Sequence, residues 1–398
     1  MIIGIDGNEA NIPNKVGVGQ YAFKLLWHLY QLDNKNTYYI YLKEEPLSDL
    51  PKPRKNWQYK VFGPAKLWTR IALPFHLYTQ KEKLNLFFSP SHYSPSISPF
   101  PTIPTIHDIG YLQFQNQFTK KDLYQLINWT KESLKKSSQI ITVSQFSQNE
   151  IIKTYNINPN KIHIAYNGVD TPPKIDSKTQ QDILSSYNLQ PNNYYLYLGT
   201  LKPNKNIPFL IESYSLFLEK YKITPCPVKV HRYPGEGRKV GEAFPPKLVI
   251  AGKKGWLFEE IFATVKKYQI EEHVVFTDFV TENQKWTLYQ NAVASVLPST
   301  YEGFGIPAIE SMKVGTPVIV SDIPPFREVV QNCGLFINPS DTNDLCQKMI
   351  EIKNPKIRQE LSKLGITQAD KFSWDSTAKS VLQVFQKIRL NRSKFGMK

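Results

Sequence analysis

The chain has 398 residues, 41% of them hydrophobic and 21% charged, which excludes a disordered polymer and suits two ordinary domains. A net charge of +15 implies attraction to something anionic, whether nucleic acid, a phosphorylated small molecule or an acidic membrane face, without choosing among them. Three cysteines, Cys226, Cys333 and Cys346, show no CxxC spacing and leave one unpaired, which predicts inert thiols in a reducing compartment.

The first residues, MIIGIDGNEA, lack the basic head and apolar stretch of a secretory signal, and no later run approaches the ~18 apolar residues of a membrane span. A soluble, cytoplasmic protein is expected. Residues 2–6 read as a strand, and residues 21–32 place Leu25, Leu26, Leu29 and Leu32 at helical spacing. Strands follow at 38–42 and 59–62, then a helix at 67–78 interrupted at Pro74, and strands at 86–88 and 102–106. A helix over 119–136 leads to a strand at 139–143. Ser147 and Glu150 have capping-box spacing at the head of the next helix, and a strand at 162–165 closes the half. Residues 171–190, polar and with paired prolines, read as the linker between a domain at 1–170 and one at 191–373.

The second series has strands at 194–198, 248–251, 274–277, 294–297, 318–320 and 335–337, with Thr281 and Gln284 offering another capping box. Residues 222–247, rich in Pro, Gly and basic side chains, read as an exposed insertion. Residues 374–390 set Val381, Val384, Phe385 and Ile388 on one helical face, within a final segment at 374–398. Such alternation predicts an α/β protein of two Rossmann-like domains, their parallel sheets facing across a cleft.

In open parallel sheets ligands bind beyond the carboxyl ends of the strands, so residues just after a strand are the ones to weigh. Residues 298–315, PSTYEGFGIPAIESMKVG, follow the strand at 294–297 and place Gly303 and Gly305 ahead of a helix that tolerates Pro307 in its first turn. Amides at a helix start, approached closely beside glycine, suit phosphate. Glu302 and Glu310 bracket that turn with E-x7-E spacing, Glu310 being read as about two turns into the helix. A carboxylate accepts the vicinal hydroxyls of a sugar but repels phosphate, so the pattern suits a sugar nucleotide. Lys205, after the strand at 194–198, adds a positive charge near a diphosphate, and Lys253 and Lys254 are candidates to supplement it. His107 and Asp108 end the strand at 102–106. Gly17 and Gly19 lack the third glycine of a dinucleotide fingerprint and read as a flexible loop closing over phosphate or acceptor. For residues 167–170, Asn-Gly-Val-Asp, a domain-boundary turn and a ligand contact both stay open. There is no D-x-D, GxxxxGK[ST], HExxH or GxSxG motif, so no metal is expected and leaving-group charge falls to lysines and amides.

The segments YEGFGIPAIES, LGTLKPNKN, VIAGKKGW, IHDIGYL, ITVSQFSQNEI and YNGVD, in that arrangement, resemble the retaining glycosyltransferase family 4 of the GT-B fold, over almost the whole chain. The resemblance implies transfer of a sugar from a nucleotide diphosphate donor with the anomeric configuration kept. It implies that Glu310 holds the ribose, that Glu302 with the turn at Gly303, Phe304 and Gly305 holds the donor sugar and distal phosphate, that Lys205 neutralises the diphosphate, and that His107 contacts the donor sugar. Gly17, Gly19, Asp108, Thr200 and Lys253 join the donor side, and the last helix crosses back to the first domain. There is one departure: family members commonly carry an arginine where this chain has Thr200 or Asn204, and Lys202, Lys253 or Lys254 are candidates to compensate.

The reading is therefore a metal-independent hexosyltransferase without a cofactor. Its donor would be a GDP- or UDP-linked sugar, with mannose favoured by resemblance to the HDI and GKKGW branch, and its acceptor a glycan or a lipid-linked hydroxyl. A phosphorylase of the same fold and a non-catalytic sugar-nucleotide binder stay open. Nucleic acid is not expected, since no base-stacking motif is present. Lys120, Lys121, Lys131, Lys135 and Lys136 on one helix, with Arg70 near Trp68, suggest either a solvated face or peripheral attachment to an anionic inner membrane face.

Overall fold

The computed structural model describes residues 1–223 and 245–394. The first half runs β1 (Ile2–Asp6), α1 (Val18–Leu32), β2 (Thr37–Leu42), β3 (Trp57–Val61), α2 (Ala72–Thr79), β4 (Leu86–Ser89), β5 (Thr102–Ile106), α3 (Lys120–Lys136), β6 (Ile140–Thr142), α4 (Gln145–Tyr155) and β7 (Ile162–Ile164). The second runs α5 (Ser177–Ser186), β8 (Tyr194–Leu198), α6 (Ile207–Ile223), β9 (Lys247–Ala251), α7 (Glu259–Lys267), β10 (Val274–Asp278), α8 (Glu282–Gln290), β11 (Ala294–Leu297), α9 (Ile306–Lys313), β12 (Val318–Ser321), α10 (Pro324–Val330), β13 (Leu335–Ile337), α11 (Thr342–Glu351), α12 (Pro355–Ala369) and α13 (Trp374–Lys394). Two compact units result: Met1–Gly168 with Phe372–Lys398, and Val169–Lys371.

The first unit is built on a parallel seven-stranded sheet in the order β3-β2-β1-β4-β5-β6-β7. β4 and β5 are buried along their whole length, as expected of parallel strands covered on both faces. α1 turns Tyr21, Ala22, Leu25, Leu26 and Leu29 inward. α13 packs beside α1 and buries Ala378, Val381, Val384, Phe385 and Ile388, with Phe385 5.3 Å from Phe88 of β4. Thr377 Oγ1 donates to the Tyr166 carbonyl at 2.6 Å, and a Cβ on Gly168 would lie 2.2 Å from the Trp374 nitrogen. The final helix is thus locked onto the unit that the chain left at residue 168.

The second unit carries a parallel six-stranded sheet in the order β10-β9-β8-β11-β12-β13. This is the doubly wound arrangement, in which winding reverses between β8 and β11 and leaves a crevice at their carboxyl ends. The first sheet reverses in the same way between β1 and β4.

Several local expectations are corrected. The segment read as a linker contains α5, capped by Asp176 accepting from the Thr179 amide, and α5 packs on α8 within the second unit. Pro74 does not interrupt a helix, because α2 starts at Ala72 and a proline in a first turn gives up an amide that has no intrahelical acceptor. The cap of α4 is Ser144, which accepts from the Ser147 amide; Ser147 is buried and donates to the His107 carbonyl at 3.0 Å. The capping box of Thr281 and Gln284 forms on α8. Cys333 and Cys346 are buried free thiols whose pKa burial raises. Of the 222–247 segment, Cys226 and the rest of 224–244 lie outside the described residues, while residues 222–223 end α6 and Lys247 opens β9.

Candidate active site

At the switch point of the second sheet the turns after β8 and β11 are laced together. The Asn204 carbonyl accepts the Thr300 amide at 3.0 Å, and the Asn204 carboxamide donates to the Tyr301 carbonyl at 3.1 Å. Asn204 is therefore a clamp between the two turns. Next to it, Lys205 Nζ lies 2.5 Å from Glu302 Oε1, which also accepts from Ser299 Oγ at 2.8 Å. Both members of the pair are largely buried. Thr200 accepts the Tyr197 hydroxyl on its carbonyl at 3.2 Å, and Tyr197 is pushed well above its usual range by burial and then by the Glu302 charge.

The turn into α9 ends on Gly305, which caps the helix at φ 101°. A Cβ there would sit 2.7 Å from Phe326 Cε1, so both backbone and space call for glycine. Phe304 is buried, and Pro307 occupies the first turn, where its missing amide costs nothing. Glu310 is the fifth residue of α9, little more than one turn in rather than two. Its Oε1 accepts from Lys285 Nζ at 2.9 Å and its Oε2 from the Tyr289 hydroxyl at 3.1 Å. Burial raises the Glu310 pKa and Lys285 opposes the rise. For Lys285, burial pulls the pKa down, but Glu310 and Glu282 carry it above its ordinary value. A charged pair results, and each carboxylate oxygen keeps a second lone-pair direction for another donor.

Of the candidates to supplement Lys205, Lys253 is exposed and engages the β8 turn through its carbonyl, which accepts the Leu201 amide at 2.9 Å. Lys254 lies over the Phe258 and Phe262 rings and 3.7 Å from Asp278, and Lys202 lies 5.5 Å from the Trp256 ring centroid. None of the three is shown in contact with the Lys205–Glu302 pair.

In the first unit, His107 and Asp108 follow β5 directly. His107 Nε2 donates to the Pro90 carbonyl at 3.3 Å, and the Tyr21 ring meets the imidazole edge-on at 4.6 Å. Burial and then the neighbouring His92 push His107 down to about 4, so it is neutral at pH 7 with Nδ1 as its acceptor. Asp108 Oδ1 accepts from the Gly110 amide at 2.8 Å. Gly17 and Gly19 do not form a loop: Gly17 caps α1 at φ 51°, and Gly19 lies buried in its first turn against Ile12 and the Glu9 carbonyl.

Sequence reasoning missed Lys285 and Tyr289, whose i, i+4 spacing on α8 puts both on one face toward Glu310. It also missed Asp6 at the end of β1. That carboxyl is buried, accepts from Asn8 N and Nδ2 at 3.1 and 2.7 Å, and is raised to about 6 by burial against those bonds. The only advance signal was the acid closing an apolar strand, a place where topology converges polar groups.

Residues 17–172 match the model of the family described as Glycosyltransferase Family 4, and residues 180–368 that of Glycosyl transferases group 1. The O-antigen chain mannosyltransferase RfbU of Salmonella typhimurium is 31% identical over 237 residues, 60% of this chain and 56% of that protein. O-antigen chain mannosyltransferase B of Escherichia coli is 27% identical over 288 residues, 71% of this chain and 70% of that protein. Among solved structures, sucrose-phosphate synthase from Thermosynechococcus elongatus superimposes with a TM-score of 0.71 at 17% identity, covering 98% of this chain and all of that one. Anabaena HepE in complex with UDP gives 0.67 at 16% identity, covering 99% of each. Two doubly wound parallel sheets, the paired glutamates on the α9 turn and two adjoining family matches agree: the chain belongs to the group 1, family 4 glycosyltransferases of GT-B fold.

Proposed function

We propose that the chain moves a mannosyl residue from a nucleotide diphosphate donor, GDP-linked before UDP-linked, to a hydroxyl of a glycan or lipid-linked acceptor, keeping the anomeric configuration and using no metal. The observation that carries this is the Lys205–Glu302 pair at the switch point of the second sheet, beside the start of α9. An ammonium and helix-start amides receive a diphosphate there, while Glu302 and Glu310 accept sugar and ribose hydroxyls. Without ligand, Lys205 and Glu302 neutralise each other; a diphosphate would take over the ammonium and free the carboxylate for hydroxyls. The two O-antigen mannosyltransferases support mannose, and the UDP complex of HepE supports a nucleotide in this fold.

In the transfer, the bond from the anomeric carbon to the phosphate oxygen breaks as the acceptor oxygen bonds to that carbon on the same face. The acceptor proton passes to the departing phosphate. Lys205 and the amides stabilise the growing negative charge. A net charge of +15 suits work at the anionic inner face of a membrane, where lipid-linked acceptors would be met.

The test pairs thermal shift across GDP-mannose, UDP-glucose and ADP-glucose with nucleotide release from the stabilising donor, with and without inorganic phosphate. GDP-mannose raises the melting temperature, and Lys205→Ala lowers release by ~10²–10³. Unchanged turnover in Lys205→Ala, or no stabilisation by any nucleotide sugar, overturns the proposal. Asn204 in place of arginine favours one other reading, a binder without catalysis, which predicts stabilisation with no release under any acceptor.

A further inference from the structure

The outer face of α2 is apolar where a surface helix is ordinarily polar. The inner face is accounted for: Ala72, Leu73 and Leu77 are buried with Trp68, Tyr41, Leu84 and Phe87. On the other side Leu67, Ile71, Phe75 and Tyr78 are 47, 56, 71 and 57% exposed. Their spacing of four, four and three residues sets them in one line along the helix and the turn before it, where the Ile71 amide already bonds the Leu67 carbonyl. Ile97, 59% exposed, adjoins this line through Ser96, whose hydroxyl donates to the Arg70 carbonyl at 3.0 Å. Scattered apolar side chains on a surface need no explanation, but a contiguous row of large ones marks a contact.

The charges around the row identify what it contacts. Residues 60–83 hold Lys60, Lys66, Arg70, Lys81 and Lys83 against one acid, Glu82, which is itself paired with Lys60 at 3.0 Å. Lys66, Lys81 and Lys83 are exposed at the two ends of the row. The Arg70–Glu132 ion pair fixes α3 alongside, and α3 shows solvent a line of Lys121, Tyr124, Asn128, Lys131 and Lys135. A second copy of the chain would bring this basic rim against itself, and like charges facing each other oppose association. An anionic bilayer meets both requirements, taking apolar side chains below the headgroups and lysines at them. Tyr78, apolar along its ring and polar at its tip, suits the boundary.

We propose that the outer face of α2, with the lysines at its ends and along α3, docks the first unit on a bilayer rich in anionic lipid. Its purpose, reaching a lipid-linked acceptor, rests on the function proposed above; the docking does not. The experiment is co-sedimentation of the full chain with vesicles of phosphatidylcholine alone, or mixed equally with phosphatidylglycerol, at low and near-physiological salt. Binding to the mixed vesicles and not to the neutral ones is expected, weakening with salt. The double variant Ile71→Ser, Phe75→Ser weakens it roughly tenfold or more, and Lys131→Glu with Lys135→Glu weakens it independently. The unaltered melting temperature of both variants shows that the fold is kept, because these side chains face outward. Failure of the wild type to bind mixed vesicles, or equal binding by the serine variant, overturns the proposal. So does a wild-type dimer that the serine variant converts to monomer. Vesicle binding by a protein that releases nucleotide from no donor would leave the docking standing and remove the transferase reading instead.

Discussion

Replacing Lys285 by Met separates charge from packing at the Glu310 site. Methionine keeps the length of the stem but removes the ammonium 2.9 Å from Glu310 Oε1. The side chains of the two residues are only 11 and 12% exposed, so the pair belongs with buried ion pairs rather than surface ones. Breaking a buried pair by removing one partner costs ~3–5 kcal/mol, because the remaining charge stays desolvated. In a unit of this size that lowers the melting temperature by roughly 6–20 °C. The pH dependence gives the cause. Glu310 is raised above 4.5 even with its partner, and without it the rise is larger. An acid with a raised folded pKa binds more protons folded than unfolded, so the variant loses stability as pH rises from 4.5 through that folded pKa. The gap between wild type and Lys285→Met is therefore narrow in acid and widens toward neutrality. Scanning calorimetry from acid to neutral pH reads this directly. Adding Glu310→Gln to the variant restores most of the loss, since a neutral side chain needs no counter-ion. A single variant melting within about 2 °C of wild type at neutral pH, or a gap that does not change with pH, would refute the reasoning.

Three further outcomes are expected. Gly305→Ala meets both a φ of 101° and a Phe326 atom 2.7 Å from the new Cβ, so it destabilises by ~1–3 kcal/mol and removes donor-induced stabilisation; thermal melts with and without GDP-mannose check this. His107, held down to about 4, contributes no ionisation near pH 6.5 to the rate profile; because the unfolded chain binds that proton more readily, stability falls as pH drops from 6.5 toward 4, and His107→Asn flattens that limb. Ending the chain before Phe372 uncovers the surface that buries Val381, Val384, Phe385 and Ile388, a loss of roughly 6–12 kcal/mol against a typical total of ~5–15, so the first unit loses its folded near-ultraviolet signal while the second still melts.

Strands were the most legible elements because strands of a parallel sheet are buried on both faces and read as unbroken apolar runs. Residues 194–198 and 294–297 were placed to the residue for this reason. α5 was not legible: it buries Leu184 alone, and its polar turn-like composition matches a linker as well as a short helix. Ser147 was read as the cap of α4 because Glu150 follows it at capping-box spacing, but the turn of the backbone after β6 makes Ser144 the cap. At the site, Lys205 and Glu302 were each visible as residues following a strand. Their contact spans 97 positions and depends on β8 lying beside β11, which no local pattern encodes. Lys285 was hidden by a sound prior, since lysines on helices ordinarily face water; here a buried carboxylate reverses it.

The two sheets share one device and use it with opposite charge. Each reverses its winding between its first strand and the strand beside it, so the loops leaving those carboxyl ends diverge and open a crevice. In the second sheet the crevice is edged by an ammonium and a helix start, with its carboxylates committed to lysines. In the first it is edged by Asp6 at the end of β1 and, one strand further, by an imidazole that burial keeps uncharged. An anion placed at the first crevice would face a carboxylate without an imidazolium to offset it. At the second it would displace Glu302 from an ammonium already in position. Lys43 offsets part of the Asp6 charge, yet the function proposed above asks for an ammonium beside a helix start, and of the two edges it is the β8/β11 switch point that offers both.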